Sequence, residues 1–249
     1  MVLAMLGFAI EDSLIRIISS VIPFGQVLSL FGLGGALIFA LLCKLKKQQL
    51  FLAEVISRPM VLRMFFELIG RLFYSVSLIL MPISLVTLVL QATPIFVVTG
   101  AAFLFKEAVG ILRWIAIFSG LLGVVFIIQP TSESFSPYVI FAILGMLGFA
   151  GRDLGSRAAS PIISDNHLGF YGFVAVTVAG LIYSGWAGAA YVPLSIGTLV
   201  YILSLIFVGC FSYFALMKAM RIGDVSFVTP FRYTRILFGA VSYTHLTLP

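Results

Sequence analysis

Charge is what this sequence has least of. Nine acidic and fifteen basic residues in a chain of 249 make up 10% of the total, against roughly 25% in soluble globular chains. A chain of this length folded in water leaves a large surface to cover, and so few charges cannot cover it, which excludes a soluble globule. Disorder and coiled coil fall with it, since both need abundant charge. Cysteine is nearly absent too. Cys43 closes one apolar run and Cys210 sits inside another, with neither metal-ligand spacing nor a disulfide framework, so both read as buried thiols. Of the two histidines, His167 falls in a loop and His245 in the last residues. There is no His cluster, HExxH helix or paired catalytic aspartate motif, and no Gly-rich loop ending in Lys-Ser/Thr of the kind that cradles ATP. The formal charge of +6 comes from basic residues spread between apolar runs rather than gathered in a stripe, which argues against nucleic acid. No cofactor or metal is expected.

What is abundant is hydrocarbon. Hydrophobic residues make up 61%, with twenty-four Phe and a mean hydropathy of +1.19. At about twenty residues per crossing, apolar segments fall near 2–22, 25–43, 61–83, 85–105, 110–128, 137–157, 168–187, 199–220 and 225–241. They are continuously apolar without polar-in alternation, which excludes a β-barrel. The expectation is an all-α polytopic transmembrane bundle whose first partner is the lipid bilayer. The first segment lacks a basic leader and holds Glu11 and Asp12, so it reads as a retained helix rather than a signal peptide.

The connections divide by charge. Lys44, Lys46, Lys47, Arg58, Lys106, Arg113, Arg157, Lys218 and Arg221 all fall on one side, while the intervening connections hold no Lys or Arg and a single acid, Glu133. Positively charged loops stay inside, which predicts a multi-pass protein of the cytoplasmic (inner) membrane with a cytoplasmic N-terminus.

The sequence also repeats itself. Met5 to Arg16, MLGFAIEDSLIR, matches Met146 to Arg157, MLGFAGRDLGSR, at seven of twelve positions and an offset of 141, including Asp12 with Asp153 and Arg16 with Arg157. At an offset of 139, Tyr74 answers Tyr213, Ile83 answers Ile222 and Val86 answers Val225. The offset holds five spans, an odd number, so the copies cross in opposite directions. Such an inverted repeat is expected to place a substrate site near the midplane between the halves.

Residues Leu85 to Pro130, LVTLVLQATPIFVVTGAAFLFKEAVGILRWIAIFSGLLGVVFIIQP, carry a mid-helix Pro94, Glu107 at the helix end, and Gly120 and Gly123 in the next helix. This stretch resembles the EamA domain of the drug/metabolite transporter superfamily, as does MRIGDVSFVTPFRYTRILFGA in the second half. The resemblance implies two inverted five-helix halves: 1–130 the first, and 137–241 the second. It implies ten helices where nine are readable. The counterpart of Glu107 falls at Leu246, and SYTHLT is too polar to cross lipid, so the chain reads as a C-terminally truncated fragment with 242–249 a non-native tail.

Ionisable groups inside spans cost about 2.5–3.5 kcal/mol each and mark sites or pathways. Arg63, Glu67 and Arg71 recur on one helical face. Glu67 either joins a site or only neutralises the two arginines, and Arg63 near the cytoplasmic edge reads as a snorkelling residue. Arg232, Tyr233 and Arg235 lie beside Pro230, which weakens the local helix. The substrate-binding set is therefore Arg71, Arg232, Arg235, Tyr233, Glu67, Gln91 and Pro94, with Asp12, Arg16, Asp153 and Arg157 as gating or self-neutralising ion pairs, and Phe73, Tyr74 and Tyr213 available for stacking. Gly145, Gly148, Gly151 and Gly155 read as a packing stripe.

The leading function is a secondary transporter that moves a small organic metabolite (amino acid, zwitterion or organic anion) by alternating access, with a coupling proton or ion as a further partner. The alternatives are a membrane-embedded enzyme, for which no catalytic constellation is found, and a channel or scaffold subunit, for which no filter loop or charge ring is found. The oligomeric state is not legible.

Overall fold

Proline and small polar residues decide where the helices begin. Pro23 and Pro82 stand at the N-caps of α2 (Phe24–Leu45) and α4 (Ile83–Leu90), and prolines occupy the first turns of α3 (Arg58–Leu80) and α5 (Thr93–Phe105). There a missing N–H costs nothing. α8 (Asp165–Ala187) starts in a capping box between Ser164 and His167, and α9 (Ile196–Ile222) starts with Ser195 accepting the Thr198 N–H. α1 (Val2–Ser19), α6 (Ile111–Ile128) and α7 (Val139–Ala158) complete the long helices, and α8 stops at Gly188 in the left-handed region. This computed structural model describes residues 1–129 and 136–239. The tail at 242–249 and Glu133 lie outside them.

The described residues form an all-helical bundle without strands, and six helices are long and apolar enough to cross a membrane. α1 and α3 miss that count because they carry the charges discussed below. α2 packs along α8, α3 along α7, and α1 along α9. Small residues let these pairs approach closely. A side-chain carbon at Gly148 would fall 2.4 Å from the Gly70 Cα, and one at Gly32 would fall 2.4 Å from the Thr177 backbone nitrogen. The glycine stripe of α7 is packing, as expected. The main core runs from Phe31, Phe39 and Phe173 to Tyr213 and Met217, and Cys43 and Cys210 are buried free thiols within the bundle.

Two expected helices are interrupted. The fourth turns at Gln91–Ala92 between α4 and α5, although the stretch Ser84–Phe105 as a whole suffices for a crossing. Pro94 cannot donate to the Leu90 carbonyl, and the Thr93 hydroxyl takes that acceptor instead. The ninth, expected as one span over 225–241, is a four-residue α10 (Val225–Val228), a 3-10 turn (Thr229–Tyr233) around Pro230, and helical residues over 234–239. The first helix ends at Ser19 rather than near 22. His167, expected in a loop, is buried in the first turn of α8, with its Nε2 at 2.8 Å from the Gln49 carbonyl.

Candidate functional site

A cavity of about 70 Å³ lies where α1, α3, α7 and α9 meet the two interrupted segments. Helical spacing on α1 aims Phe8, Glu11 and Asp12 into it. Arg71 and Tyr74 face it from α3, Phe149 and Arg152 from α7, Gln91 and Thr93 from the turn between α4 and α5, and Arg232 and Arg235 from the broken ninth segment. Four guanidiniums and two carboxylates thus line one space within a largely apolar bundle.

Each charge has a traceable partner. Asp12 takes a bidentate bond from Arg235, Nε to Oδ2 at 3.1 Å and Nη2 to Oδ1 at 2.7 Å, and the same guanidinium lies 5.4 Å from the Phe8 ring centre. Asp153, fully buried behind the wall, accepts from Arg152 Nε at 2.9 Å and from Arg232 Nη2. Arg152 also reaches Glu67 at 3.4 Å and sits 5.0 Å from the Phe149 ring centre. Glu67 in turn accepts the Tyr213 hydroxyl proton, while Tyr213 accepts from Arg63 Nη2 at 2.7 Å. The contact between Glu11 and Arg71 is the loosest, at 3.7 Å.

Several expectations are corrected here. Arg63 is not a snorkelling residue. It is fully buried, donating to Ser156 Oγ at 2.9 Å and to the Leu168 carbonyl at 2.8 Å. Glu67 does not neutralise its helix neighbours directly, because Arg152 and Tyr213 occupy it, and it lies behind the cavity wall. Asp153 and Arg157 are not a self-neutralising pair: Asp153 faces Arg152 and Arg232, whereas Arg157 donates to the Arg221 carbonyl at 2.8 Å and sits 3.8 Å from Glu107. Asp12 reaches across to Arg235 rather than serving only its own helix. Tyr233 points away from the cavity, its hydroxyl donating to the Ile117 carbonyl at 2.9 Å, and Pro94 is buried in the first turn of α5.

Arg71, Arg232, Arg235, Gln91, Asp12 and Tyr74 are the expected residues that meet at the cavity. Sequence reasoning missed Glu11 and Arg152. The signal was present: 11 and 152 are related by the same offset of 141, but a search for identities passes over a Glu that faces an Arg.

At the end of the bundle that carries the basic loops, a second cluster closes the ends of five helices. The Glu107 carboxylate accepts the backbone N–H of Val225 at 3.4 Å and of Ser226 at 3.3 Å. Arg113 reaches Asp224 at 3.1 Å and the Ser226 hydroxyl, and Arg221 reaches the Ile163 carbonyl at 2.7 Å and Asp165 at 3.0 Å.

No family model matches the chain. It is 27% identical over 192 residues to an S-adenosylmethionine uptake transporter of Rickettsia prowazekii (strain Madrid E), covering 75% of this chain and 63% of that protein. It is 25% identical over 152 residues to a riboflavin transporter of Vibrio cholerae serotype O1, covering 59% of this chain and 49% of that protein. A crystal structure of a protein 18% identical in sequence superposes with a TM-score of 0.77, over 99% of this chain and 90% of that one, and shows the same fold. The chain thus spans less than two thirds of the length of these curated relatives. Its apolar helices and its similarity to named transporters make it a multi-pass membrane protein.

Proposed function

We propose that this chain forms the substrate pathway of a secondary transporter for a small organic metabolite, an amino acid, other zwitterion or organic anion, working by alternating access. The observation that carries this reading is the cavity at two interrupted helices, lined by Arg71, Arg152, Arg232, Arg235, Glu11 and Asp12. Charge in hydrocarbon is retained where it lines a pathway, and interrupted helices offer free backbone groups where a substrate is held. The relatives named as an S-adenosylmethionine uptake transporter and a riboflavin transporter support a small organic metabolite as the cargo. Ligand pockets measure about 300–1,000 Å³, so a cavity of about 70 Å³ must widen to admit a metabolite.

The inverted repeat belongs to the same proposal. The turn at Gln91–Ala92 maps by the offset of 139 onto Pro230–Phe231, inside the 3-10 turn of the ninth segment. The packing is reciprocal as well: α1 lies on α9 as α7 lies on α3. Both features support two EamA-like halves, 1–130 and 137–241, whose interface is the cavity. The basic ends of the helices support an inner-membrane protein with a cytoplasmic N-terminus. Cysteines placed at Lys46 and Lys106 are then labelled only from the cytoplasmic side, and labelling of either from outside contradicts that orientation.

Tracer flux in proteoliposomes tests the central reading. A carrier gives uptake that saturates with concentration and is accelerated by unlabelled substrate on the far side. Flux that rises linearly without counter-flow identifies a channel and overturns the proposal.

A further inference from the structure

The cavity is short of acceptors. Among the described residues, buried side-chain nitrogens without a hydrogen-bond partner include Arg71 Nε, Gln91 Nε2 and Arg232 Nε. All three residues line the cavity, and each is more than nine-tenths buried. Buried donors are nearly always satisfied, because one left unmet has lost its bonds to water without replacement. Three such donors, on three residues that line one space, point to ligand acceptors there.

The acids differ in how well they are met. Asp12 holds two bonds from Arg235, Asp153 is shared by Arg152 and Arg232, and Glu67 has Arg152 and Tyr213. Glu11 has the 3.7 Å contact with Arg71, beyond hydrogen-bond reach. A carboxylate that engages Arg71 draws that guanidinium from Glu11 and leaves a buried acid without its cation. A ligand that carries its own cation supplies the replacement.

We propose that the Arg71–Glu11 pair is a place-holder for a zwitterion of α-amino-acid type. The ligand's carboxylate is received by Arg71, Gln91 and Arg232, and its α-ammonium by Glu11. This rests on the transporter reading and adds to it the polarity of the site and the residue that selects the positive end. A ligand without the α-ammonium strands Glu11, and one without the carboxylate leaves the three donors unmet, so neither matches the intact amino acid.

The test is displacement of radiolabelled S-adenosylmethionine from the full chain in lipid nanodiscs. The competitors are unlabelled S-adenosylmethionine, its decarboxylated form, its deaminated form, and 5′-methylthioadenosine. In the parent chain the intact zwitterion should compete at least tenfold better than either singly truncated form. In Glu11→Gln the advantage over the deaminated form should collapse to under threefold, while Glu11→Asp keeps it. Equal competition by all four compounds in the parent, or no specific binding, overturns the proposal without need of any variant. An unchanged preference in Glu11→Gln overturns the role of Glu11. Saturable counter-flow of some other solute, with no zwitterion preference, leaves transport standing and removes the bipolar site.

Discussion

The two charged clusters of this bundle are built from the same residue types and treat their arginines differently. At the basic end, Arg113, Arg157 and Arg221 are met by carbonyls, hydroxyls and acids near water, and several are partly exposed. In the cavity, Arg71 and Arg232 are almost wholly buried, and each keeps a donor unmet. The first arrangement fastens helix ends together at low electrostatic cost. The second retains an unfavourable feature that packing alone does not explain, since a hydrocarbon side chain would fit such a wall without unmet donors. Between the two lies the floor of the cavity, the Arg63–Tyr213–Glu67–Arg152 network, buried like the cavity and bonded throughout except at Arg63 Nη1.

This contrast can be broken most forcefully at the floor. Glu67→Ala strands Arg152 and the Tyr213 hydroxyl in a dry interior, and removing one partner of a buried pair costs about 3–5 kcal/mol. Unfolding of purified protein in detergent should show loss of most of the folded fraction, and near-parental stability would mean the floor is not structural. Arg232→Gln comes next. Asp153 retains Arg152, so folded yield should persist, while ligand affinity falls at least tenfold, about 1.4 kcal/mol. Loss of folding with no separable loss of binding would place Arg232 in the structural class. Glu107→Gln, at the basic end, keeps an acceptor for only one of the Val225 and Ser226 N–H groups, which use different oxygens, and loses its charge towards Arg157. About 1 kcal/mol is expected, read as faster amide exchange at 225 and 226. Arg113→Ala is the smallest, about 0.2–1 kcal/mol, because its partner Asp224 is largely exposed, and it should leave binding unaltered.

The helices were legible because about twenty apolar residues in a row have one use. The interruptions were half legible. Pro94 and Pro230 marked them, but proline in a transmembrane helix is often tolerated without a break, and the sequence does not say that Thr93 takes up the Leu90 carbonyl. At the site, Arg71, Arg232, Arg235 and Asp12 stood out as charge within apolar runs. Arg63 was misplaced because depth along a helix was estimated from where the span began. It is instead burial between α7, α8 and α9, a tertiary property, that sets its environment. Pairing followed the same rule: i to i+4 spacing favoured partners on one helix, yet Asp153 and Glu67 found theirs on other helices or next to them, where the bundle brought guanidiniums closer.

Counter-flow in proteoliposomes, with the parent chain and Arg232→Gln compared at equal amounts of folded protein, tests most directly whether the cavity arginines serve substrate. The account predicts saturable, exchange-accelerated flux in the parent and a half-saturation concentration raised at least tenfold in the variant. Identical saturation curves for the two proteins, or flux in neither that saturates, would contradict it.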